Sequence, residues 1–166
     1  MRPNVLYRLL LVCCLLPGLA PAQETAADSV PAYQALADSL AKVNRVHGPY
    51  VGFNGETTNQ YRNFLQLTET ASEGQLLELC NHDNAVVRAY AFWGLARNQF
   101  TRLDSLLLAH ARDEAPVSEV QGGVITRIPL VDFMQWVVDP NMMDTRSKKL
   151  DPAVIRRLAE LRFADR

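Results

Sequence analysis

Amphipathic helices dominate the pattern of apolar and polar positions in this chain. From residue 30 to residue 112, apolar side chains recur at spacings of three and four, the repeat of a helix with one buried face. Capping residues, Gly and Pro divide the pattern into segments. It predicts helices over about 30–46, 58–69, 72–80, 84–97 and 101–112.

Helix starts are marked by short polar signatures. Ser72 and Gln75 have the spacing of a capping box, in which two side chains satisfy the free N–H groups of the first turn, and Thr57 and Gln60 have the same spacing. Asp83 is placed to cap the helix that follows it. These signals fix where we expect three helices to begin.

The pattern changes after Pro116. Residues 117–128 read as two short strands around Gly122-Gly123, which predicts a β-hairpin. The apolar run 130–138 predicts a buried helix, and Asp151-Pro152 predicts the N-cap and first residue of a last helix. The glycine-rich stretch 47–57 is predicted to be a loop. It is not a phosphate-binding loop, because no Gly-Lys-Ser/Thr follows it.

The segment at about 72–97 resembles a HEAT repeat, a unit of two antiparallel helices. The resemblance lies in Asp83 at the turn, Val87-Arg88, Ala91 and Leu95. In physical terms Val87, Ala91 and Leu95 form one core stripe, and Arg88 lies beside it, where it can reach an acid in a neighbouring turn. A partial second copy at about 101–117 gives way to the hairpin.

This resemblance implies a fold class. We expect a mostly α protein, a short HEAT-like α-α stack with a small late β-hairpin. Since about three repeats are needed for an independent solenoid, the first and last helices must supply the missing layers. The whole of 23–166 is expected to form one domain.

A second apolar stripe on the helix at 84–97 is the candidate partner-binding site. Tyr90, Trp93 and Arg97 recur there, opposite the core stripe. In HEAT proteins the second helices commonly line a partner surface, and Trp, Tyr and Arg dominate such contacts. The alternative is that this helix is central and is covered by the segments 30–46 or 130–138.

The N-terminus predicts export. Arg2 and Arg8 precede and flank an apolar run at 9–16, and small residues at 20–22 suit a signal peptidase, so 1–22 is predicted to be a cleaved signal peptide. Eight apolar residues make about 12 Å of helix, too short for a bilayer core of about 30 Å. We expect a periplasmic or secreted protein without a transmembrane segment.

Charge and cysteine content narrow the range of partners. The chain has 17 basic and 18 acidic residues, and removal of Arg2 and Arg8 with the signal peptide leaves a net charge of −3. This charge argues against a nucleic-acid partner. Cys80 is the only cysteine after residue 22, so no internal disulfide can form. It is expected to be buried, although its reactivity is left open.

No catalytic or metal-binding motif stands out. His82-Asp83 has no second ligand at a metal-binding spacing, and nucleophile motifs are missing from the sequence. We therefore predict no cofactor. The leading hypothesis is a non-enzymatic interaction module that binds another envelope or extracellular protein, with its oligomeric state open. The alternative is a small-ligand-binding protein or enzyme that uses the loop at 47–57 and the late hairpin.

Overall fold

A computed structural model describes residues 30–164 of the chain, so the predicted signal peptide at 1–22 lies outside the described residues. The described part is mostly helical, as expected, but it also contains a three-stranded sheet, so the fold is mixed α/β. The elements in chain order are α1 (Ala32–Val43), β1 (Val46–Val51), α2 (Asn59–Thr70), α3 (Glu73–Leu79), α4 (Ala85–Arg97), α5 (Leu103–Ala109), β2 (Pro116–Gly122), β3 (Val124–Pro129), α6 (Leu130–Val137) and α7 (Pro152–Phe163).

Helix α4 is the centre of the molecule. Every residue from Ala89 to Ala96 is buried, because this helix carries apolar side chains around its whole circumference. It packs against α1, α2, α3, α6 and two strands of the sheet. Helix α1 lies on α2, and α7 lies on α5, so the first and last helices cover the outer sides of the core.

Of the caps predicted for α2, α3 and α4, one agrees with the sequence and two differ. Ser72 and Gln75 form the predicted capping box. Thr58, rather than Thr57, caps α2, and its hydroxyl accepts from the Tyr61 N–H at 3.2 Å. Asn84, rather than Asp83, caps α4 and accepts from two N–H groups of its first turn. In both cases the neighbouring residue has the extended backbone that a cap needs.

Strand β1 corrects the predictions for 30–46 and 47–57. Helix α1 stops at Asn44, whose left-handed φ of 53° ends the helix before Val46. The chain then runs parallel to β2, with Val46 beside Glu119 and His47 beside Val120. The local pattern predicts helix and loop here because the strand partner lies some seventy residues later, beyond the reach of such a pattern.

The second half of the chain follows its prediction closely. Strands β2 and β3 form the antiparallel hairpin, and Gly122 takes a positive φ of 55° at its turn. Helix α6 is buried over most of its length, and the Asp151 side chain caps α7 by accepting from the Ala153 N–H at 2.7 Å. The hairpin therefore lies beside α6, and the space between them forms the site described below.

Arg88 reaches an acid in a neighbouring turn, as the sequence predicted. Its Nε and Nη2 donate to the two carboxylate oxygens of Asp113 at 3.0 and 2.9 Å. Burial by itself raises the pKa of the Asp113 carboxyl, but the hydrogen bond and charge of Arg88 outweigh it and lower the pKa. This ion pair joins the start of α4 to the segment between α5 and β2.

Candidate functional site

The predicted partner stripe on α4 lies inside the molecule. Tyr90 and Trp93 have no exposed surface, and only 8% of the Arg97 side chain is exposed. Trp93 packs against Phe64 of α2 and Phe133 of α6, with ring centroids 4.4 and 6.2 Å away. The prediction that these three side chains form a partner-binding face is therefore corrected, because other elements of the same chain cover them.

The stripe instead anchors two other segments. The Tyr90 hydroxyl accepts a hydrogen bond from the His47 N–H at 2.7 Å, which fixes the start of β1. Trp93 Nε1 donates to Asp144 Oδ2 at 3.3 Å, and Arg97 forms an ion pair with the same carboxylate. Asp144 lies in the loop between α6 and α7, so α4 holds this loop in place.

The surroundings of Cys80 and His82 are those of structural residues. Cys80 is fully buried, and burial raises the pKa of its thiol to about 12, which leaves almost no thiolate at neutral pH. The His82 ring accepts from the Asn84 N–H at 3.0 Å. Within residues 30–164, no three His, Cys, Asp or Glu side chains come together in a way that could hold a metal ion.

A cavity of about 430 Å³ lies between the hairpin and the end of α6, and we call it the hairpin cavity. Its volume is within the range of small-molecule sites. Its wall contains a carboxylate, an aromatic ring, two thioethers and several smaller groups. The lining residues are Glu119, Gln121, Gly122, Val124, Thr126, Trp136, Met142 and Met143.

Glu119 reaches this cavity because of its position in the sheet. Alternation along β2 places Glu119 on the same face as the core residue Val117, and the ladder places Thr126 of β3 directly beside it. Only 3% of Glu119 is exposed. An acidic side chain is thus held on the inner face of the sheet.

The Glu119 carboxyl is also unpaired. Its Oε1 has no hydrogen-bond partner among the described residues. Burial raises the pKa of the carboxyl to about 7, because the apolar surroundings disfavour the charged form. Near neutral pH this group can therefore either accept or donate a hydrogen bond.

The part of the cavity wall that comes from α6 and the loop after it is apolar and polarisable. Trp136 comes from α6, while Met142 and Met143 come from the loop that Asp144 anchors. Thus the partner stripe that the sequence singled out acts on the site indirectly, by fixing the loop that carries the two methionines.

A second cavity of about 590 Å³ lies on the other side of Trp136 and Met142, which line both spaces. We call it the terminal cavity because α7 forms part of its wall. It contains Lys149, Arg156 and Asp139, whereas Glu119 is the only ionisable residue that lines the hairpin cavity among the described residues. The two neighbouring spaces therefore differ in charge.

Glu119 belongs to no sequence motif. In the predicted hairpin, Val117, Glu119 and Gln121 fall on one face by alternation and Ser118 and Val120 on the other, so each face carries a valine and the pattern does not show which face is inward. The burial of Glu119 is visible only in the structure. The loop at 47–57 contributes no side chain to the hairpin cavity.

No family model, curated protein or solved structure shows significant similarity to this chain. Across residues 30–164, no helix combines the length and the apolar character needed to cross a membrane. The class that the fold and the site define is thus a mixed α/β domain with a central buried helix and an acid-bearing cavity beside its hairpin.

Proposed function

We propose that this chain is an exported small-ligand-binding protein whose binding site is the hairpin cavity. The observation that carries the proposal is Glu119, a carboxyl that is 3% exposed, has an unpartnered oxygen and lines a cavity of about 430 Å³. Binding is favoured over catalysis because the described lining offers one ionisable side chain and no second acid or base.

The cost of burying Glu119 supports a role in binding. An unpaired buried carboxyl destabilises a fold, and an apolar residue of similar size would fill the same place at lower cost. Buried polar groups without partners and with shifted pKa values are typical of sites that a ligand completes. A ligand that brings hydrogen-bond donors to the Glu119 carboxyl would offset this cost.

The test is a fragment titration followed by amide NMR spectra of the ¹⁵N-labelled mature chain. Small aromatic amines, alcohols and carboxylates serve as probes. We expect shifts confined to the lining of the hairpin cavity, including the Gly122 and Thr126 amides and the Trp136 indole N–H.

The matched controls are two substitutions on one strand. Thr126→Phe adds a ring on the inner face and should abolish the shifts. Ile125→Phe adds the same ring on the opposite, exposed face and should leave them unchanged. If no probe shifts the lining, or if both variants respond like the wild type, the cavity is not a binding site.

A second candidate function is the interaction module, with its partner surface on the sheet. Tyr50 on β1, Phe53 just after β1 and Ile125 on β3 are large apolar side chains that are exposed. The Gly52 N–H donates to the Gly122 carbonyl at 2.7 Å, so the segment after β1 lies against the hairpin turn. Exposed apolar patches of this kind are common at protein interfaces.

This candidate keeps the HEAT-like relationship as part of the proposal. Helices α3 and α4 would be the full unit and α5 the partial one, and the Arg88–Asp113 ion pair between them supports this view. A pull-down from the native envelope fraction compares the wild type with Phe53→Ser and with the control Phe163→Ser on α7. If the wild type and both variants retain a partner equally, this surface is not the binding site for that partner.

Export is part of both candidates. It rests on the sequence of residues 1–22. Expression of the full chain in a Gram-negative host, followed by mass spectrometry of the product, should show a chain that begins at Gln23. A product that still carries residues 1–22 would argue against export.

A further inference from the structure

We propose that the hairpin cavity binds an organic ammonium ion, with its charged head on the Glu119 carboxylate and its apolar body against Trp136, Met142 and Met143. This inference rests on the proposed function, because it names the ligand class of the same cavity. The inference comes from three features of the cavity wall: the isolated acid, the missing counter-cation, and the apolar, polarisable side formed by Trp136, Met142 and Met143.

The head group is defined by Glu119. An ionised carboxylate only accepts hydrogen bonds, and the group that satisfies it best is a cationic donor. No Lys, Arg or His side chain lines the hairpin cavity among the described residues, so the chain supplies no such donor itself. An ammonium ion would supply both the missing hydrogen-bond donor and the missing charge to this carboxylate.

The body of the ligand is defined by the opposite wall. Trp136 contributes an aromatic side chain to the lining, and the face of such a ring attracts cations through its quadrupole and packs against apolar groups. The thioethers of Met142 and Met143 are polarisable and adapt to ligands of different outline. A bare inorganic cation would leave this apolar surface unused and would find a single carboxylate, too few ligands for a metal site.

The terminal cavity supplies an internal contrast. It shares Trp136 and Met142 with the hairpin cavity but carries two basic residues, Lys149 and Arg156, against one acid, Asp139. An anionic ligand of the same size has a favourable site there, and it is repelled by an ionised Glu119. Cations and anions should therefore be sorted to opposite sides of the same tryptophan.

The experiment uses three probes with the same phenyl-bearing skeleton and different heads: phenethylammonium, 2-phenylethanol and 3-phenylpropanoate. Affinities for the mature chain are measured at pH 8 by isothermal calorimetry, and the bound position is read from amide NMR shifts. We expect phenethylammonium to bind at least tenfold more tightly than 2-phenylethanol, the difference typical of a charge-assisted hydrogen bond.

Glu119→Gln keeps the shape of the side chain and removes its charge. It should abolish the preference for the ammonium head while the affinity for the alcohol changes less than about threefold. Glu69→Gln, on the exposed side of α2, is the control for the loss of one negative charge and should behave like the wild type.

The outcomes separate this inference from the proposed function. Equal binding of the ammonium and the alcohol in the hairpin cavity, or a preference that survives in Glu119→Gln, overturns the ammonium assignment and leaves a binding cavity in place. Preferential binding of 3-phenylpropanoate beside Glu119 also overturns it. If none of the three probes shifts the amide signals of the cavity lining, both the ammonium assignment and the proposed function are wrong.

Discussion

Asp144 and Glu119 both have side chains that are largely shielded from solvent, and the fold treats them in opposite ways. The Asp144 side chain is 10% exposed, and its oxygens accept from Trp93 and from the Arg146 backbone N–H while it pairs with Arg97. Glu119 is 3% exposed and has an oxygen without any partner. The comparison separates an acid that stabilises the fold from an acid that we propose is available to a ligand.

The physical basis of this difference is desolvation. Removing a carboxylate from water is unfavourable, and this penalty is offset where a cation and several N–H groups surround the carboxylate, as at Asp144. At Glu119 no group in the described chain offsets the desolvation penalty, so burial raises the pKa of the carboxyl to about 7. Substitutions at the paired acids should therefore destabilise the fold, and substitution at the unpaired one should stabilise it.

The largest loss is expected for Asp144→Asn. The change leaves the Arg97 guanidinium, whose side chain is 8% exposed, without its charge partner. Breaking a buried ion pair from one side costs about 3–5 kcal/mol in the free energy of unfolding, as measured by urea denaturation. Glu69→Gln on the surface is the control. A loss below about 1 kcal/mol would mean that the Asp144 cluster does not hold the loop.

An intermediate loss is expected for Arg88→Ala, because the Arg88–Asp113 pair is partly exposed. The arginine also donates to the carbonyls of His82 and Asp83 at 2.8 and 2.9 Å. We expect a loss of about 1–3 kcal/mol at pH 7.

The Arg88 effect should depend on pH. Arg88 lowers the pKa of the Asp113 carboxyl, so this stabilisation is present above the ordinary carboxyl pKa and disappears as the pH falls through the lowered value. The gap between wild type and variant should therefore narrow in acid. A gap that is as wide at pH 2 as at pH 7 would show that the ion pair contributes nothing.

The smallest effect is expected for an exposed pair on α7. Arg157 and Glu160 lie 2.8 Å apart, but their side chains are 59% and 64% exposed. Glu160→Gln should change the free energy of unfolding by less than about 0.5 kcal/mol, and added salt should remove the effect. A loss of stability as large as that of Arg88→Ala would contradict the expected relation between the burial of an ion pair and its contribution to stability.

Much of the helical structure could be predicted from the sequence because its signals are local. The Ser72–Gln75 box, the Asp151-Pro152 start and the apolar run of α6 are each readable within one or two turns. The hairpin around Gly122 is local as well. Strand β1 was missed because its hydrogen bonds go to a strand far along the chain, and nothing near Val46 records that pairing.

The site was harder to predict for a different reason. The sequence showed that α4 has a second apolar stripe at Tyr90 and Trp93, but not whether a partner or the same chain covers it. Tertiary packing decided this, through α2 and α6. Glu119 was overlooked because a single acid in a strand forms no motif; only its burial and its missing partner mark it.

The most direct test of the central claim is the stability of Glu119→Gln relative to the wild type, measured by urea denaturation at pH 8 and pH 4.5. The folded wild type keeps a proton up to a pKa of about 7, whereas an ordinary glutamate releases it near 4.5, so the wild type loses stability as the pH rises between these values. The Tyr90 phenol, on α4, is the titratable group that interacts with Glu119, and burial raises its pKa, so it stays neutral throughout.

We therefore expect Glu119→Gln to be more stable than the wild type at pH 8, by on the order of 1–3 kcal/mol, and the advantage to close at pH 4.5. A variant that is less stable than the wild type at pH 8 would contradict the account. It would show that the Glu119 carboxylate stabilises the fold, as Asp144 does, and is not held ready for a ligand.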